Sequence, residues 1–104
     1  MHSKPMNEMT EDELNEIIKS LYEKARKAEM AGIMNEYEVY VRKVMIAKSY
    51  LVDKSKIDLH KIYQLKDTDE YFKVEYLKGI FAWGYRIRGN GEEEGLPVAI
   101  LKID

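Results

Sequence analysis

The stretch from Phe72 to Tyr85 constrains the fold more than any other part of the chain, because it contains a complete candidate β-hairpin. Lys78-Gly79, between two runs rich in aromatic and β-branched residues, predicts a two-residue turn. The ladder then consists of the pairs Leu77–Ile80, Tyr76–Phe81, Glu75–Ala82, Val74–Trp83, Lys73–Gly84 and Phe72–Tyr85. Aromatic and branched pairs share one face of this hairpin. A one-residue slip would move every side chain to the other face, so we expect a strongly specified register.

Two helices are predicted ahead of the hairpin. Thr10 and Glu13 have the spacing of a capping box, and apolar residues follow at helical spacing as far as Gly32, where we expect the helix to end. Asn35 predicts the N-cap of a second helix over about Glu36–Leu51. The connection between them is short, so the helices should form an antiparallel hairpin.

The second predicted helix carries two apolar stripes. The main stripe consists of Tyr37, Tyr40, Val41, Val44, Ala47 and Leu51, and the opposite one of Val39, Ile46 and Tyr50. A helix that is apolar on opposite sides is usually covered on both. We expect the first helix on one side and the sheet or a second subunit on the other. Lys48 lies within the main stripe, and its stem should follow apolar surface while the ammonium reaches water.

Beyond the helices the apolar period changes to two, which predicts short antiparallel strands. Residues 53–60 break the helical pattern and predict a linker. The strands are expected at about Lys61–Lys66, Tyr71–Leu77, Ile80–Ile87 and Leu96–Ile103, separated by a turn over 67–69 and a glycine-rich loop over 88–95. Pro97 requires an edge or a strand start. Four strands of this length predict a small curved sheet or a partial barrel.

Composition narrows the class of protein. The 104 residues contain no Cys, which removes thiol catalysis and Cys-based zinc sites and fits a reducing cytoplasm. The net charge is −2 with 35% charged residues, without the strongly basic balance of many nucleic-acid-binding proteins. The sequence contains no apolar run that would indicate a signal peptide or a membrane span. We therefore expect a cytoplasmic protein with no membrane partner.

Four segments together resemble the YfhH-like family, small cytoplasmic proteins of Bacillus-type bacteria. These segments are residues 23–29, 32–36, 81–86 and 92–97, and the likeness runs from about Met9 to about Leu101. The resemblance implies an N-terminal helical hairpin and an SH3-like β-barrel, and it implies no established activity. The expected fold is therefore α+β, with a helical hairpin at 1–52 (1–9 disordered), a linker at 53–60, and an SH3-like barrel at 61–104 packed against the hairpin as one cooperative unit.

Catalytic and metal-binding constellations are not convincing in this sequence. The only histidines are His2, near the N-terminus, and His60, in the predicted linker. Asp58 and His60 offer two ligands at most, and a solvated linker explains them better. The Gly-Asn-Gly motif at 89–91 opens no helix and precedes three glutamates, so a turn explains it better than a phosphate site. We predict no catalytic residue, no cofactor and no metal.

The strongest candidate for a binding site is the aromatic cluster of the predicted sheet, which contains Tyr63, Tyr71, Phe72, Tyr76, Phe81, Trp83 and Tyr85. We expect Phe72, Tyr76 and Phe81 in the core, since aromatic residues bury large areas. The sequence does not decide whether Trp83 and Tyr85 lie in the core or on the surface. They would lie outside if the small residues of the same strand, Ala82 and Gly84, faced the interior.

The leading hypothesis for function is a non-catalytic protein-interaction or small regulatory module, with a homodimer as one form that it could take. Its ligand surface is expected at Trp83, Tyr85, Arg86 and Arg88, beside the glycine-rich loop. The alternative is a nucleic-acid-binding accessory protein, because aromatic side chains next to arginines suit base stacking. An enzyme is the least favoured class, since neither the fold nor any group of side chains supplies a reaction.

Overall fold

The chain is an α+β protein whose structure, a computed structural model, describes residues 4–103. It consists of two units, one that ends at Leu51 and one that begins at Val52. The first contains helices α1 (Glu11–Met30) and α2 (Met34–Ser49). The second contains an antiparallel sheet in the order β1-β2-β3-β4, with β1 at Ile62–Gln64, β2 at Tyr71–Lys78, β3 at Phe81–Arg86 and β4 at Glu94–Pro97. No helix within residues 4–103 has the length and apolar character needed to cross a membrane.

Both predicted ends of α1 are confirmed. The Glu13 amide donates to the Thr10 hydroxyl at 3.1 Å, and the Thr10 amide donates to the Glu13 carboxylate at 3.0 Å, which completes the capping box. At the other end Gly32 has φ +74°. Its amide donates to the Glu29 carbonyl, and the next amide donates to the Ala28 carbonyl. This Schellman arrangement satisfies carbonyls that the end of a helix leaves unpaired.

The predicted N-cap of α2 is wrong, whereas the helix begins close to the expected position. The helix begins at Met34 with Ile33 as its N-cap, and no side chain caps it. The Ile33 carbonyl already accepts the Tyr37 amide at 3.1 Å, so Asn35 lies inside the first turn and cannot cap it. The physical reason is the Schellman closure of α1, which leaves no free residue between the turn and the next helix.

The two helices form a hairpin whose apolar core includes Ile18, Leu21, Val44 and Ala47. The main stripe of α2 is thus confirmed at its centre, although Leu51 is 39% exposed. The structure also extends this unit at its N-terminus.

Residues 1–9 were expected to be disordered. The first three lie outside the described residues, but Met6–Glu8 forms a 3₁₀ turn. Met6 packs against the core of the helical hairpin. Lys4 forms an ion pair with Glu13 at 3.2 Å, which ties this segment to the first turn of α1.

The predicted turn of the β2–β3 hairpin is wrong by one position. The loop consists of Gly79 and Ile80, so that Lys78 pairs with Phe81. Gly79 has φ +58°, which suits glycine as the first central residue of a tight hairpin turn. Ile80 is only 7% exposed, and its carbonyl accepts the Val98 amide at 2.9 Å. Burial of the Ile80 side chain favours a turn formed by Gly79 and Ile80 over the predicted turn of Lys78 and Gly79.

A β-bulge changes the register again. Tyr76 pairs with Trp83, whereas Val74 pairs with Gly84, so Glu75 is the extra residue between them. The predicted pairs of Val74 with Trp83 and of Tyr76 with Phe81 are therefore wrong. Because of the bulge, Phe72 and Val74 before it face the interior of the unit. Tyr76 after it, with its partner Trp83, lies on the other face.

The two faces of the sheet are clearly different. Phe72, Val74 and Ala82 have no exposed surface, and Gly84 is also buried. Tyr76 is 41% exposed, so its predicted core position is wrong. Phe72 is confirmed as core, and Phe81 is only partly buried. Of the two arrangements left open by the sequence, the one with Ala82 and Gly84 inside is correct. We call the face that carries Tyr76 the outer face.

The segment predicted as a linker belongs to the second unit. Ile57 lies in its core, and the Asp58 amide donates to the Tyr63 hydroxyl at 2.8 Å. The His60 amide donates to the Val74 carbonyl. A buried side chain and paired backbone groups keep this segment against the sheet, so it is not a solvated spacer.

The C-terminal segment is more broken than predicted. β4 ends at Pro97 on the edge of the sheet, as expected for proline, and Val98–Ile100 forms a 3₁₀ turn. Leu101 then forms an isolated bridge with Leu65. The named strands form an open sheet rather than a closed barrel.

Candidate aromatic binding face

The structure divides the predicted ligand surface between two faces of β3. Side chains alternate along a strand, so Trp83 and Tyr85 lie on the outer face, whereas Arg86 lies on the same side as Ala82. Arg88 follows the end of the strand in a turn with φ +65°. The two aromatic residues are therefore together, and the two arginines are not part of the same patch.

Arg86 is held by two carboxylates. Its Nε donates to Glu94 and its Nη1 donates to Glu70, both at 2.9 Å. The hydrogen bond that Arg86 donates to Glu94 is the main cause of a raised pKa of the guanidinium. This cation joins β4 to the residue before β2, which makes it a structural cross-link and leaves little of its charge for a ligand.

Arg88 lies at a separate shallow pocket of about 370 Å³. The pocket has both signs of charge and two apolar side chains, and its lining is Asp69, Glu70, Tyr71, Ile87 and Arg88. Such a mixed lining has no net preference for an anion. Arg88 therefore adds no cationic edge to the aromatic residues of β3.

Trp83 lies flat between a tyrosine of β2 and a glycine of β4. Tyr76 on β2 stacks against it with ring planes 5° apart and centroids 6.2 Å apart. On the other side, Gly95 of β4 is the residue directly opposite. A Cβ atom at Gly95 would lie 2.6 Å from Trp83 Cε2, so the indole occupies the space of the missing side chain. Glycine at this position is what allows the ring to lie flat.

The indole N–H of Trp83 is buried, and no acceptor for it is found among residues 4–103. An unpaired buried donor costs about 1–3 kcal/mol. Packing against Tyr76 and Gly95 therefore holds the ring, and hydrogen bonding does not.

Tyr76 is held by Glu93, which lies in the loop between β3 and β4. Its hydroxyl donates to the Glu93 carboxylate at 3.0 Å, and this hydrogen bond is the main cause of a raised pKa of the phenol. Tyr85, 36% exposed, is the third aromatic side chain on the same side of β3. We name Tyr76, Trp83 and Tyr85 the aromatic face.

Sequence reasoning missed Tyr76 as part of this face because the predicted register placed it in the core. The available signal was Gly79, since a two-residue loop with glycine at its first position is a common hairpin turn. Glu75, the bulge residue, has two side-chain partners. Its carboxylate contacts His60 Nδ1 at 2.8 Å and Lys73 Nζ at 3.8 Å.

His60, which contacts Glu75, is the one histidine in the described range, since His2 lies outside it. Asp58 uses its backbone amide to bind Tyr63. Within residues 4–103 no three His, Asp or Glu side chains are grouped so that they could hold a metal ion.

Comparisons with known proteins agree with the resemblance noted in the sequence. A family model described as "Protein of unknown function (DUF1811)" matches residues 4–102. The chain is also similar to "Uncharacterized protein YfhH" of Bacillus subtilis (strain 168), with 43% identity over 99 residues that cover 95% of both chains. No specific role is attached to either. The chain, by the extent of these two matches, belongs to the YfhH-like family of unknown function.

Proposed function

We propose that this protein is a non-catalytic, cytoplasmic protein-interaction module, and that the aromatic face is its contact surface. The supporting observation is that three neighbouring aromatic side chains remain on the outer side of the sheet in a fixed arrangement. Gly95 and Glu93 hold two of them in place. Rigid aromatic residues lose little conformational entropy on binding and often dominate interface energies.

We also propose that the second unit is an SH3-like barrel. The bridge between Leu65 and Leu101 supports this, because it brings the C-terminal segment beside β1. Two backbone hydrogen bonds of 2.8 Å extend the contact, from Lys66 to the Ile100 carbonyl and from Lys102 to the Gln64 carbonyl. A 3₁₀ turn precedes the bridge, so the chain changes direction between β4 and this last extended piece.

Nucleic-acid binding is the alternative function, and the charges around the aromatic face support it less. Arg86 is engaged by two carboxylates. The adjoining loop contributes Glu92 and Glu93, and the whole chain has a net charge of −2. Phosphate groups would be repelled by this loop, whereas a partner with apolar and basic side chains would not.

Affinity capture from a cell lysate treated with nuclease tests the proposal. The wild-type protein is compared with the double variant Tyr76→Ser, Tyr85→Ser, which removes the outer edges of the aromatic face. Tyr22→Ser is the matched control, because Tyr22 is a 46% exposed tyrosine of α1. We expect the control to retain a specific protein that the double variant loses.

The captured protein is then purified and titrated against the wild type. Trp83 is the chain's one tryptophan, so its emission reports directly on the aromatic face. We expect a shift of this emission on binding. Equal capture by the folded double variant, or a titration that leaves Trp83 emission unchanged, would place the contact elsewhere. Loss of capture on nuclease treatment would favour the nucleic-acid alternative.

A further inference from the structure

Asn90, in the loop between β3 and β4, is followed by Gly91, and this pair has a geometry suited to spontaneous chemistry. We propose that Asn90 is a site of deamidation through a cyclic imide in the folded protein. The proposal concerns a covalent modification and is independent of the binding function. It follows from two features of the loop: an accessible nucleophile and an activated carbonyl.

The nucleophile is the backbone nitrogen of Gly91. Among residues 4–103 no acceptor is found for the Gly91 N–H, so no hydrogen bond has to break before this nitrogen reacts. Gly91 has no side chain to shield it, and a Cβ built there meets no atom within 4 Å. The side of Gly91 on which other residues carry a side chain is therefore open.

The activated carbonyl is the side-chain amide of Asn90. The Glu92 amide donates to Asn90 Oδ1 at 3.0 Å. This is the oxygen that becomes negatively charged when a nucleophile adds to Cγ. A backbone N–H already directed at such an oxygen stabilises the charge as it develops, as in the oxyanion sites of enzymes. The loop therefore contributes more than the Asn-Gly sequence alone.

The reaction balances with water as the one co-reactant. The Gly91 nitrogen loses its proton and bonds to Asn90 Cγ, and the bond from Cγ to Nδ2 breaks. The departing nitrogen takes up that proton and leaves as ammonia, which gives the cyclic imide. Water then opens the imide at either carbonyl and yields aspartate or isoaspartate. Each product carries one new carboxylate, at the side chain in aspartate and at the main-chain carbon in isoaspartate, which adds one negative charge beside Glu92 and Glu93.

The other asparagines of the chain are internal controls. Asn15 lies in α1 and Asn35 in α2, and each is followed by glutamate. Their backbone amides are fixed in helical hydrogen bonds or held in the first turn, and a bulky neighbour shields the nitrogen. Asn7 is also followed by glutamate and lies in a 3₁₀ turn. None of the three combines glycine with an activated carbonyl.

The test is incubation of the whole folded protein at mildly alkaline pH in ¹⁸O-labelled water, followed by peptide mapping with separation of aspartate from isoaspartate. We expect one labelled oxygen at Asn90, both products, and conversion at least ~10-fold faster than at Asn15 and Asn35, because only Gly91 leaves its nitrogen unshielded. Conversion at Asn90 no faster than at the helical asparagines, or aspartate without isoaspartate, would overturn the proposal.

Two variants test the contribution of the loop. Glu92→Pro removes the N–H that donates to Asn90, whereas Glu92→Gln retains it and removes the same charge. We expect deamidation several-fold slower in Glu92→Pro than in Glu92→Gln, since the developing charge loses its donor. Equal rates in the two variants would refute the role of this amide. The comparison among asparagines in the wild type does not depend on how either variant folds.

Discussion

Trp83 and Gly95 lie opposite each other on neighbouring strands, and the indole fills the space that a side chain at position 95 would need. A Cβ there would be 2.6 Å from Trp83 Cε2 and 2.7 Å from Cζ2. Because Tyr76 stacks on Trp83 with nearly parallel rings, the glycine determines how both aromatic side chains are presented. A backbone position on one strand thus sets the shape of the aromatic face.

The first prediction concerns Gly95. Replacing it with Ala and then with Val should displace the indole in two increasing steps and shift the emission of Trp83 accordingly. Overpacking of this kind costs about 1–3 kcal/mol in the free energy of unfolding, with the larger value for Val. Urea denaturation and fluorescence measure the two effects. Identical emission spectra for all three proteins would show that Trp83 does not rest on position 95.

The second prediction concerns Gly84. A Cβ atom there would lie 1.8 Å from the Lys73 carbonyl oxygen, and backbone cannot move aside as a flexible side chain can. Gly84→Ala should therefore lower the free energy of unfolding by more than about 3 kcal/mol or prevent folding.

Gly79→Ala is the matched control for Gly84. A Cβ at position 79 meets open space, and the cost arises only from φ +58°. We expect a loss of about 1 kcal/mol there. Chemical denaturation compares the two variants, and a Gly84→Ala variant as stable as Gly79→Ala would disprove the close approach of β2 and β3.

The third prediction concerns Arg86. Removal of its side chain leaves Glu70 and Glu94 without their shared partner, so Arg86→Ala should lower the free energy of unfolding by about 1–3 kcal/mol. Arg88→Ala is the control, because Arg88 has no such pair of carboxylates among the described residues and is exposed. Its cost should stay within about 0.5 kcal/mol. Equal stabilities in urea would contradict the cross-link.

The fourth prediction is a pH dependence at Glu13. The Thr10 amide, followed by Lys4, lowers the pKa of this carboxyl in the folded protein. A lowered folded pKa contributes stability that is complete above the unfolded pKa and is lost as pH falls through the folded pKa.

Glu13→Gln keeps a capping side chain and removes the charge, so it isolates this contribution. We expect the wild type to be more stable than Glu13→Gln near pH 7, with the difference vanishing as the pH falls through the folded pKa of Glu13. Helical circular dichroism in urea at several pH values measures it. A difference that persists unchanged at acid pH would argue against the charge on Glu13.

The fifth prediction concerns the second apolar stripe of α2. Val39 and Tyr50 are 43% and 37% exposed in the single chain. We predict that this stripe is covered in the assembled protein, because an apolar helix face is usually buried. The chain has no Cys, so single cysteine probes are clean. Val39→Cys should react with a thiol reagent several-fold more slowly than Glu36→Cys, and equal rates would contradict the prediction.

Local chemistry determined the helical hairpin. The Thr10–Glu13 capping box and the Gly32 stop depend on residues within a few positions of one another, and both were predicted from spacing alone. The exception was Asn35, whose capping role was excluded by a backbone closure that begins in the preceding helix. Because these interactions join residues that are close along the chain, the rest of the fold has little effect on them.

The sheet shows what sequence periodicity could not decide. Alternation identified β2 and β3, but their register depended on the burial of Ile80 and on a bulge at Glu75, and neither is encoded by the period of two. Because the bulge shifts the pairs, Tyr76 lies on the aromatic face and not in the core, where we expected it.

The same limit applies to the site. Trp83 and Tyr85 were candidates because of their residue types, and the sequence itself determined their side of the strand relative to Arg86 through alternation. Only the tertiary structure decided which side was buried, because that depends on whether the core accepts Ala82 and Gly84 or the larger aromatic residues. It also brought Glu70 and Glu94, distant along the chain, to Arg86. Contacts between distant residues determine which charges remain available to a partner, and no local pattern contains them.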